Sequence, residues 1–174
     1  QDFKSTPEEI EALITDRTKF ILYSSPCNPS GSVFSFEELQ ALALMLQAHE
    51  HVLVVSDEIY EHINFTDRHY TIASMEGMKD RTVIINGMSK GYAMTGWRIG
   101  YIAAPAYIAK ACEKLQGQVT SGTNSVAQRA TIAALTGSLE PTYKMREAFK
   151  IRRKMVYDLM LEIPGFKCTM PEGA

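Results

Sequence analysis

The run from Val83 to Tyr101 carries one lysine, Lys90, out of an apolar strand and into a loop of small residues, Asn86-Gly87-Met88-Ser89-Lys90-Gly91. A lysine in that position loses hydration and gains a fixed place, which disfavours its ammonium form. The free amine can then condense with an aldehyde to give a Schiff base. Eight residues on, Arg98 offers a fixed positive charge that can hold an anion such as a phosphate through two parallel hydrogen bonds. An aldehyde and a phosphate on one ligand point to pyridoxal phosphate. Taken alone, the segment also allows a plainer reading, in which Lys90 and Arg98 are solvated loop charges and Trp97 fills a gap in the core.

The elements around this segment must deliver its partners. Thr6-Pro7-Glu8-Glu9 reads as a helix N-cap, a proline at the first helical position and a capping-box glutamate, and predicts a short helix through Ile14. A buried strand follows at residues 20–23, then a loop rich in Ser, Pro, Asn and Gly from Ser24 to Gly31. Ser35-Phe36-Glu37-Glu38 is a second capping box. It opens a helix whose apolar residues Phe36, Leu39, Leu42, Ala43 and Leu46 keep a helical period through about His49. The continuous apolar strand Val52-Leu53-Val54-Val55 is of the kind found where both sheet faces are covered, with Asp57 just past its end.

Strand, long crossover and strand make a parallel α/β unit, and residues 82–85 supply a third strand. A fourth is expected at residues 99–103. The connection from Asn86 to Arg98 is too short and irregular for a crossover helix, so this last pair is expected to run antiparallel. Helices are predicted over residues 106–119 and 124–136. A long amphipathic helix then starts near Pro141, with Met145, Ala148, Phe149, Arg152, Met155, Val156, Leu159 and Met160 on one stripe, and Pro164-Gly165 ends it. Residues 166–170 read as the first strand of an uncompleted element. With no initiator Met at Gln1, this predicts a central fragment: residues 1–140 from a large ligand-binding domain, and residues 141–174 a connecting helix and the start of a smaller C-terminal domain. The fold class is α/β, a mainly parallel sheet with helices on both faces.

In open α/β sheets ligands bind at the carboxyl ends of the strands. Four candidate groups lie at such ends: Asn28 after the first strand, Asp57 and Tyr60 after the second, and Lys90 after the third. Each meets a need of pyridoxal phosphate. A carboxylate at Asp57 keeps the pyridine nitrogen protonated, which makes the ring an electron sink. Tyr60 and Asn28 can donate hydrogen bonds to the ring's phenolate oxygen, and Arg98 can take the phosphate.

Asn28-Pro29-Ser30-Gly31, Ser56-Asp57-Glu58-Ile59-Tyr60 and Gly87-Met88-Ser89-Lys90 with Met94-Thr95-Gly96-Trp97-Arg98 resemble, in order and spacing, the signature of class I/II fold-type I aminotransferases. The resemblance covers nearly the whole chain and runs closest to the bacterial and archaeal aspartate aminotransferases. It implies that Lys90 holds the cofactor covalently and, once freed by substrate, moves the proton during transfer. By the same resemblance Asp57 pairs with the pyridine nitrogen, Tyr60 and Asn28 hold the phenolate oxygen, Arg98 binds the phosphate and Asn28 also meets the substrate carboxylate. It further implies amino-acid and 2-oxo-acid substrates, aspartate with 2-oxoglutarate first, and a homodimer in the full-length protein. Two positions depart from the pattern. Gly87 stands where the family often has a phosphate-binding serine, leaving only a backbone N–H, and Ser30 replaces the commoner threonine with its hydroxyl kept. The phosphate loop, the residue stacked on the ring and the arginine for the substrate carboxylate are expected outside the chain. Aromatic, prephenate or alanine aminotransferases and carbon–sulfur lyases use the same core residues and stay open, as does an inactive structural fragment.

Other chemistries find less support. Gly87-Met88-Ser89-Lys90-Gly91 also satisfies the G-x-S-x-G elbow of α/β-hydrolases, with Ser89 as nucleophile. That order of residues needs a histidine after the serine, and His49, His51, His62 and His69 all precede it. The histidines lack acidic partners at ligand spacing, so no metal site is expected. Lys and Arg number 18 against 20 Asp and Glu, for a net charge of -2, which speaks against a nucleic-acid groove or an anionic membrane surface. Cys27, Cys112 and Cys168 form no C-x-x-C pair. No apolar run approaches the roughly 20 residues needed to span a bilayer and no signal-peptide pattern opens the chain, so a reducing, cytoplasmic setting is expected.

Overall fold

The computed structural model describes residues 3–174. The helix α1 spans Pro7–Glu11 and is held at its start by both halves of its capping box, Glu9 N–H to Thr6 Oγ1 at 3.3 Å and Thr6 N–H to Glu9 Oε2 at 3.0 Å. Strand β1 (Phe20–Ser24) leads through a loop to α2 (Phe36–Gln47). The Ser35 capping box is likewise complete, with Ser35 N–H on Glu38 Oε2 at 2.7 Å and Glu38 N–H on Ser35 Oγ at 3.2 Å. Next come β2 (Leu53–Asp57), β3 (Thr82–Gly87) and β4 (Gly100–Ala103). Three helices follow: α3 (Ala106–Val119), α4 (Ser125–Thr136) and α5 (Glu140–Leu161).

The strands form one sheet in the order β1-β2-β3-β4, the first three parallel and the last pair antiparallel. Only a short 3-10 turn at Thr95–Trp97 interrupts the connection between β3 and β4, which is why no parallel crossover forms there. Leu39, Leu42, Ala43 and Leu46, three and four residues apart on α2, pack with Val52, Val54, Ile72, Met75 and Met78 as the core. Strand alternation sends Ile21 and Tyr23 into that cluster, whereas Phe20 and Leu22 on the other face are 55% and 63% exposed. On that second face a cavity of about 690 Å³, lined by Ile85, Ile102, Ala109 and Cys112, separates the sheet from α3.

A helix end leaves backbone carbonyls without partners, and Arg81 supplies them for α2. Its guanidinium donates to the carbonyls of Leu46 at 2.9 Å, of His49, and of Val52, the last through Nε at 3.1 Å. One side chain thus ties the end of α2 to the start of β2 and the entry to β3.

Several sequence expectations move. The helix predicted through Ile14 stops at Glu11, because Ala12 already serves as its C-cap and Leu13 is 79% exposed with nothing to pack on. Asp57 is the last residue of β2 rather than just past it. Residues 166–170 form no strand; their stretch of chain is irregular, and among the described residues the one β-type bridge beyond α5 is between Gly173 and Asn64. The long helix expected from Pro141 does form, as α5, with its stripe exposed at Phe149, Met155, Val156 and Leu159. Among the described residues no helix is long and apolar enough to cross a membrane.

Leu46 is fully buried, so Leu46→Ala should lower the unfolding free energy by about 2–5 kcal/mol, and Ser35→Ala by about 1 kcal/mol. Urea unfolding of the two variants checks both the size and the ranking.

Candidate active site

Flush parallel pairing brings three chain segments out of the sheet side by side. Ser24 lies opposite Asp57, and Asp57 opposite Ile85. The ladder continues one residue further, with Ser25 N–H on the Asp57 carbonyl at 3.0 Å and Glu58 N–H on the Ile85 carbonyl at 2.9 Å. After β1 the chain closes a tight loop, Gly31 N–H to Cys27 O at 2.8 Å and Cys27 N–H to Ser32 O at 3.0 Å, with the Ser30 and Ser32 hydroxyls 2.7 Å apart. Asn28 stands exposed at its tip. After β2, Asp57 Oδ1 accepts the Ile59 N–H at 3.1 Å, an Asx-type turn that redirects the chain and delivers Tyr60.

Asn28 Nδ2 donates to the Tyr60 hydroxyl at 3.1 Å, and Lys90 Nζ lies 5.3 Å from the centre of the Tyr60 ring. Since the Tyr60 oxygen accepts from Asn28, its own hydrogen stays available to an acceptor elsewhere. Lys90 is half-buried and lines a cavity of about 380 Å³ with Tyr60 and Ser89, roofed by Thr142, Met145 and Arg146 of α5. Arg98 lies in a neighbouring cavity of about 760 Å³, which shares Ala93 with the first. Arg98 is exposed, its backbone is left-handed at φ 51°, and Nη1 donates to the Thr95 carbonyl at 2.9 Å. The fold therefore gathers Asn28, Tyr60 and Lys90 into direct succession and keeps Arg98 next door. Asp57 is half-buried and joins the group through the three-residue turn to Tyr60.

Gly87 has a steric reason that the sequence does not reveal. A Cβ there would lie 2.8 Å from Gly100 Cα and 3.0 Å from the Ile99 carbonyl, where β3 and β4 press together. Its N–H, expected to be left for a phosphate, is already donated to Asn86 Oδ1 at 2.7 Å. Two residues past Lys90, Tyr92 stacks edge-on against His62 with ring centres 5.5 Å apart, and burial raises its phenol above the ordinary tyrosine range.

The sequence reading also missed the final residues. Glu172 N–H reaches the Gly31 carbonyl at 2.7 Å, Phe65 N–H the Glu172 carbonyl at 2.8 Å, and Ala174 N–H the Ile63 carbonyl at 2.9 Å. This short segment sews the Asn28 loop to the chain leaving Tyr60, and Ala174 lines the Lys90 cavity. The turn-forming Pro171-Glu172-Gly173 was the available signal.

The rival sites do not assemble. From Gly91 the chain enters a 3-10 turn and β4, so Ser89 launches no helix as a hydrolase elbow would. His49 pairs with Glu11 at 2.9 Å, His62 with Glu61 at 3.5 Å and His69 with Glu58 at 2.9 Å, while His51 meets the Thr15 carbonyl at 3.2 Å. Among the described residues no group of three or more His, Cys, Asp and Glu side chains could hold a metal ion.

Gly31 has φ +72°, and a Cβ on it would come 2.3 Å from Pro171 Cβ. Gly31→Ala should therefore cost about 1–3 kcal/mol of stability and loosen the Asn28 loop. An unfolding midpoint equal to the parent's would contradict this packing.

Comparison with known proteins identifies the family and the fold. The family described as aminotransferase class I and II matches residues 1–174. The aspartate aminotransferase of Geobacillus stearothermophilus is 48% identical over 99% of this chain, and the aspartate/prephenate aminotransferase of Cereibacter sphaeroides 46% over 99%. The chain spans 44% of the length of each of these relatives. The crystal structure of the Rhizobium meliloti aspartate aminotransferase matches with a TM-score of 0.96 at 42% identity, over 99% of this chain and 44% of that one. An aromatic aminotransferase from Pyrococcus horikoshii matches with a TM-score of 0.94 at 37% identity, over 99% of this chain and 46% of that one. Matched along its whole length in sequence, and in backbone course over nearly all of it, the chain belongs to the aminotransferase class I and II family.

Proposed function

We propose that the chain is the central part of a pyridoxal-phosphate-dependent aminotransferase that moves an amino group between an L-amino acid and a 2-oxo acid, with aspartate and 2-oxoglutarate as the favoured pair. The observation that carries the reading is the succession Asn28, Tyr60, Lys90 at the ends of three flush strands, with Asp57 on the strand between. Members of the family generally use pyridoxal phosphate, and relatives named for aspartate support the substrate choice.

The residues present fit that cofactor in kind. A primary amine, a carboxylate, a phenol and an amide emerge within one turn of the same sheet edge, and Arg98 keeps guanidinium N–H groups beyond the one used on Thr95. Bound there, pyridoxal phosphate supplies an aldehyde that accepts the amino group and a ring that draws electrons from the substrate Cα. Lys90 would hold it covalently at rest and, once released, take the proton from the substrate Cα with Nζ. Asp57 would hold a proton on the ring nitrogen, and its Oδ1 is fixed for that by the Ile59 N–H. Tyr60 would donate its free hydroxyl hydrogen to the ring oxygen while Asn28 fixes the phenol and also faces the substrate carboxylate. Arg98 would bind the phosphate from the adjoining cavity. Residues 1–140 then form part of the large domain and 141–174 begin the small one, in a cytoplasmic homodimer.

A second reading keeps the cofactor and changes the substrate. The aspartate/prephenate enzymes of Cereibacter sphaeroides and Nitrosomonas europaea, 46% and 44% identical, favour prephenate as an alternative acceptor.

Full-length protein incubated with pyridoxal phosphate should gain a visible absorption band, and borohydride reduction followed by peptide mapping should place the label on Lys90. Lys90→Ala should lose the label and lower kcat by at least about 10²–10⁴-fold. A parent protein that stays colourless and unlabelled would sink the proposal. Turnover of aspartate, aromatic amino acids, alanine and cysteine conjugates, with 2-oxoglutarate or prephenate as acceptor, separates the two readings.

A further inference from the structure

Behind Asp57 lies a carboxylate that the proposed chemistry does not use. Alternation along β2 continues past its end, so Ser56 and Glu58 turn into the core while Asp57 turns the other way. Glu58 is only 4% exposed. Its Oε1 accepts from Ser56 Oγ at 2.9 Å and from Thr71 Oγ1 at 2.6 Å, and its Oε2 meets His69 Nε2 at 2.9 Å. These partners come from two separate segments. Thr71 is itself fixed, because the same hydroxyl caps the 3-10 turn Ile72–Ser74 by accepting the Ala73 N–H at 3.3 Å.

A charge costs a great deal to bury unless donors surround it, and this one is ringed by them. Where filling space is the only need, an apolar side chain serves at lower cost. Three directed hydrogen bonds do something a leucine cannot, which is to fix the rotation of the chain about the strand axis. The titratable neighbours are Tyr23 from β1 and Tyr101 from β4, besides His69. Burial raises the Tyr23 phenol and the charge of Glu58 adds to that; Tyr101 is raised by burial, then by Glu61, Tyr92 and Glu58. On the backbone, Glu58 N–H holds the Ile85 carbonyl of β3 and its own carbonyl accepts the Glu61 N–H at 2.9 Å. Glu58 is thus tied on all sides, immediately between the two groups that face the site.

We propose that Glu58 is a positioning residue, whose carboxylate, gripped by Ser56, His69 and Thr71, sets the turn that presents Asp57 to the pyridine nitrogen and Tyr60 to the ring oxygen. The inference rests on the proposed cofactor, and its test separates the two. In the full-length protein, Glu58→Leu, Glu58→Gln and Thr71→Val are compared with the parent in three measurements. These are hydrogen–deuterium exchange over residues 57–63 without cofactor, the dissociation constant for pyridoxal phosphate, and the pH midpoint of the visible band.

Glu58→Leu should speed exchange in 57–63 but not in α2, weaken cofactor binding by about tenfold and displace the pH midpoint. Glu58→Gln keeps an acceptor for the two hydroxyls and should restore most of each effect. Thr71→Val, which removes one of the three donors to Glu58 together with the Ala73 cap, should fall between them and decides the matter should Glu58→Leu not fold. Parent-like exchange in 57–63 for both Glu58→Leu and Thr71→Val would overturn the proposal, as would lowered stability with an unchanged band and affinity. A parent protein that takes up no cofactor would defeat the reading of the site, and the exchange measurement would still judge the role of Glu58 in the turn.

Discussion

Everything at this site depends on three strands ending level with one another. Parallel pairing in register from Ser24 through Asp57 to Ile85 means that each strand releases its chain at one edge, within the width of two strand spacings. The loop geometry then needs to do little. A single Asx-type turn after β2 and a tight loop after β1 bring Tyr60 and Asn28 into contact, and the loop after β3 sets Lys90 beside them. A one-residue slip in any pairing would turn Asp57 or Glu58 to the wrong face, so register and site are the same requirement.

The edge is stabilised from beneath by polar groups as much as by apolar packing. Leu39, Leu42 and Leu46 supply the burial that holds α2 to the sheet. Arg81 then satisfies the carbonyls that the end of α2 would otherwise leave bare. This division recurs near the site, where side chains bond to backbone at the loops and carboxylates are met by hydroxyls. The two basic side chains proposed to hold the cofactor are kept apart: Lys90 in one cavity, Arg98 in the next, with Ala93 common to both. That spacing suits a ligand with its electrophile at one end and its anion at the other.

Much of this was legible in the sequence, and the parts that were not share a cause. Both capping boxes, the antiparallel return of β4 and the helix at residues 106–119 follow from local spacing, and local spacing survives into the structure. That Asn28, Tyr60 and Lys90 would come together was readable because each follows a strand end. Local spacing falls short where the outcome rests on a distant partner. The helix expected from Pro141 forms as α5, but its period does not say that the stripe stays exposed at Phe149 and Met155. The alternating segment at 166–170 finds no neighbouring strand. The stitching of residues 172–174 onto Gly31 and Ile63 is irregular backbone pairing, which leaves no periodic trace. Glu58 looked like a motif letter between two candidate site residues, and its burial among Ser56, His69 and Thr71 leaves no trace in local spacing.

The exposed side of β1 has a practical consequence. β1 is an edge strand of the sheet, and its outward residues Phe20 and Leu22 are more than half exposed. Among the described residues no strand pairs with the outer side of β1, and an apolar strand so placed is a template for pairing with another copy. Expression trials on this segment alone should therefore be planned as a contest between folding and strand-to-strand self-association. A charged residue at position 20 or 22 is the economical means of tilting that contest without touching the opposite face, where Ile21 and Tyr23 meet the core.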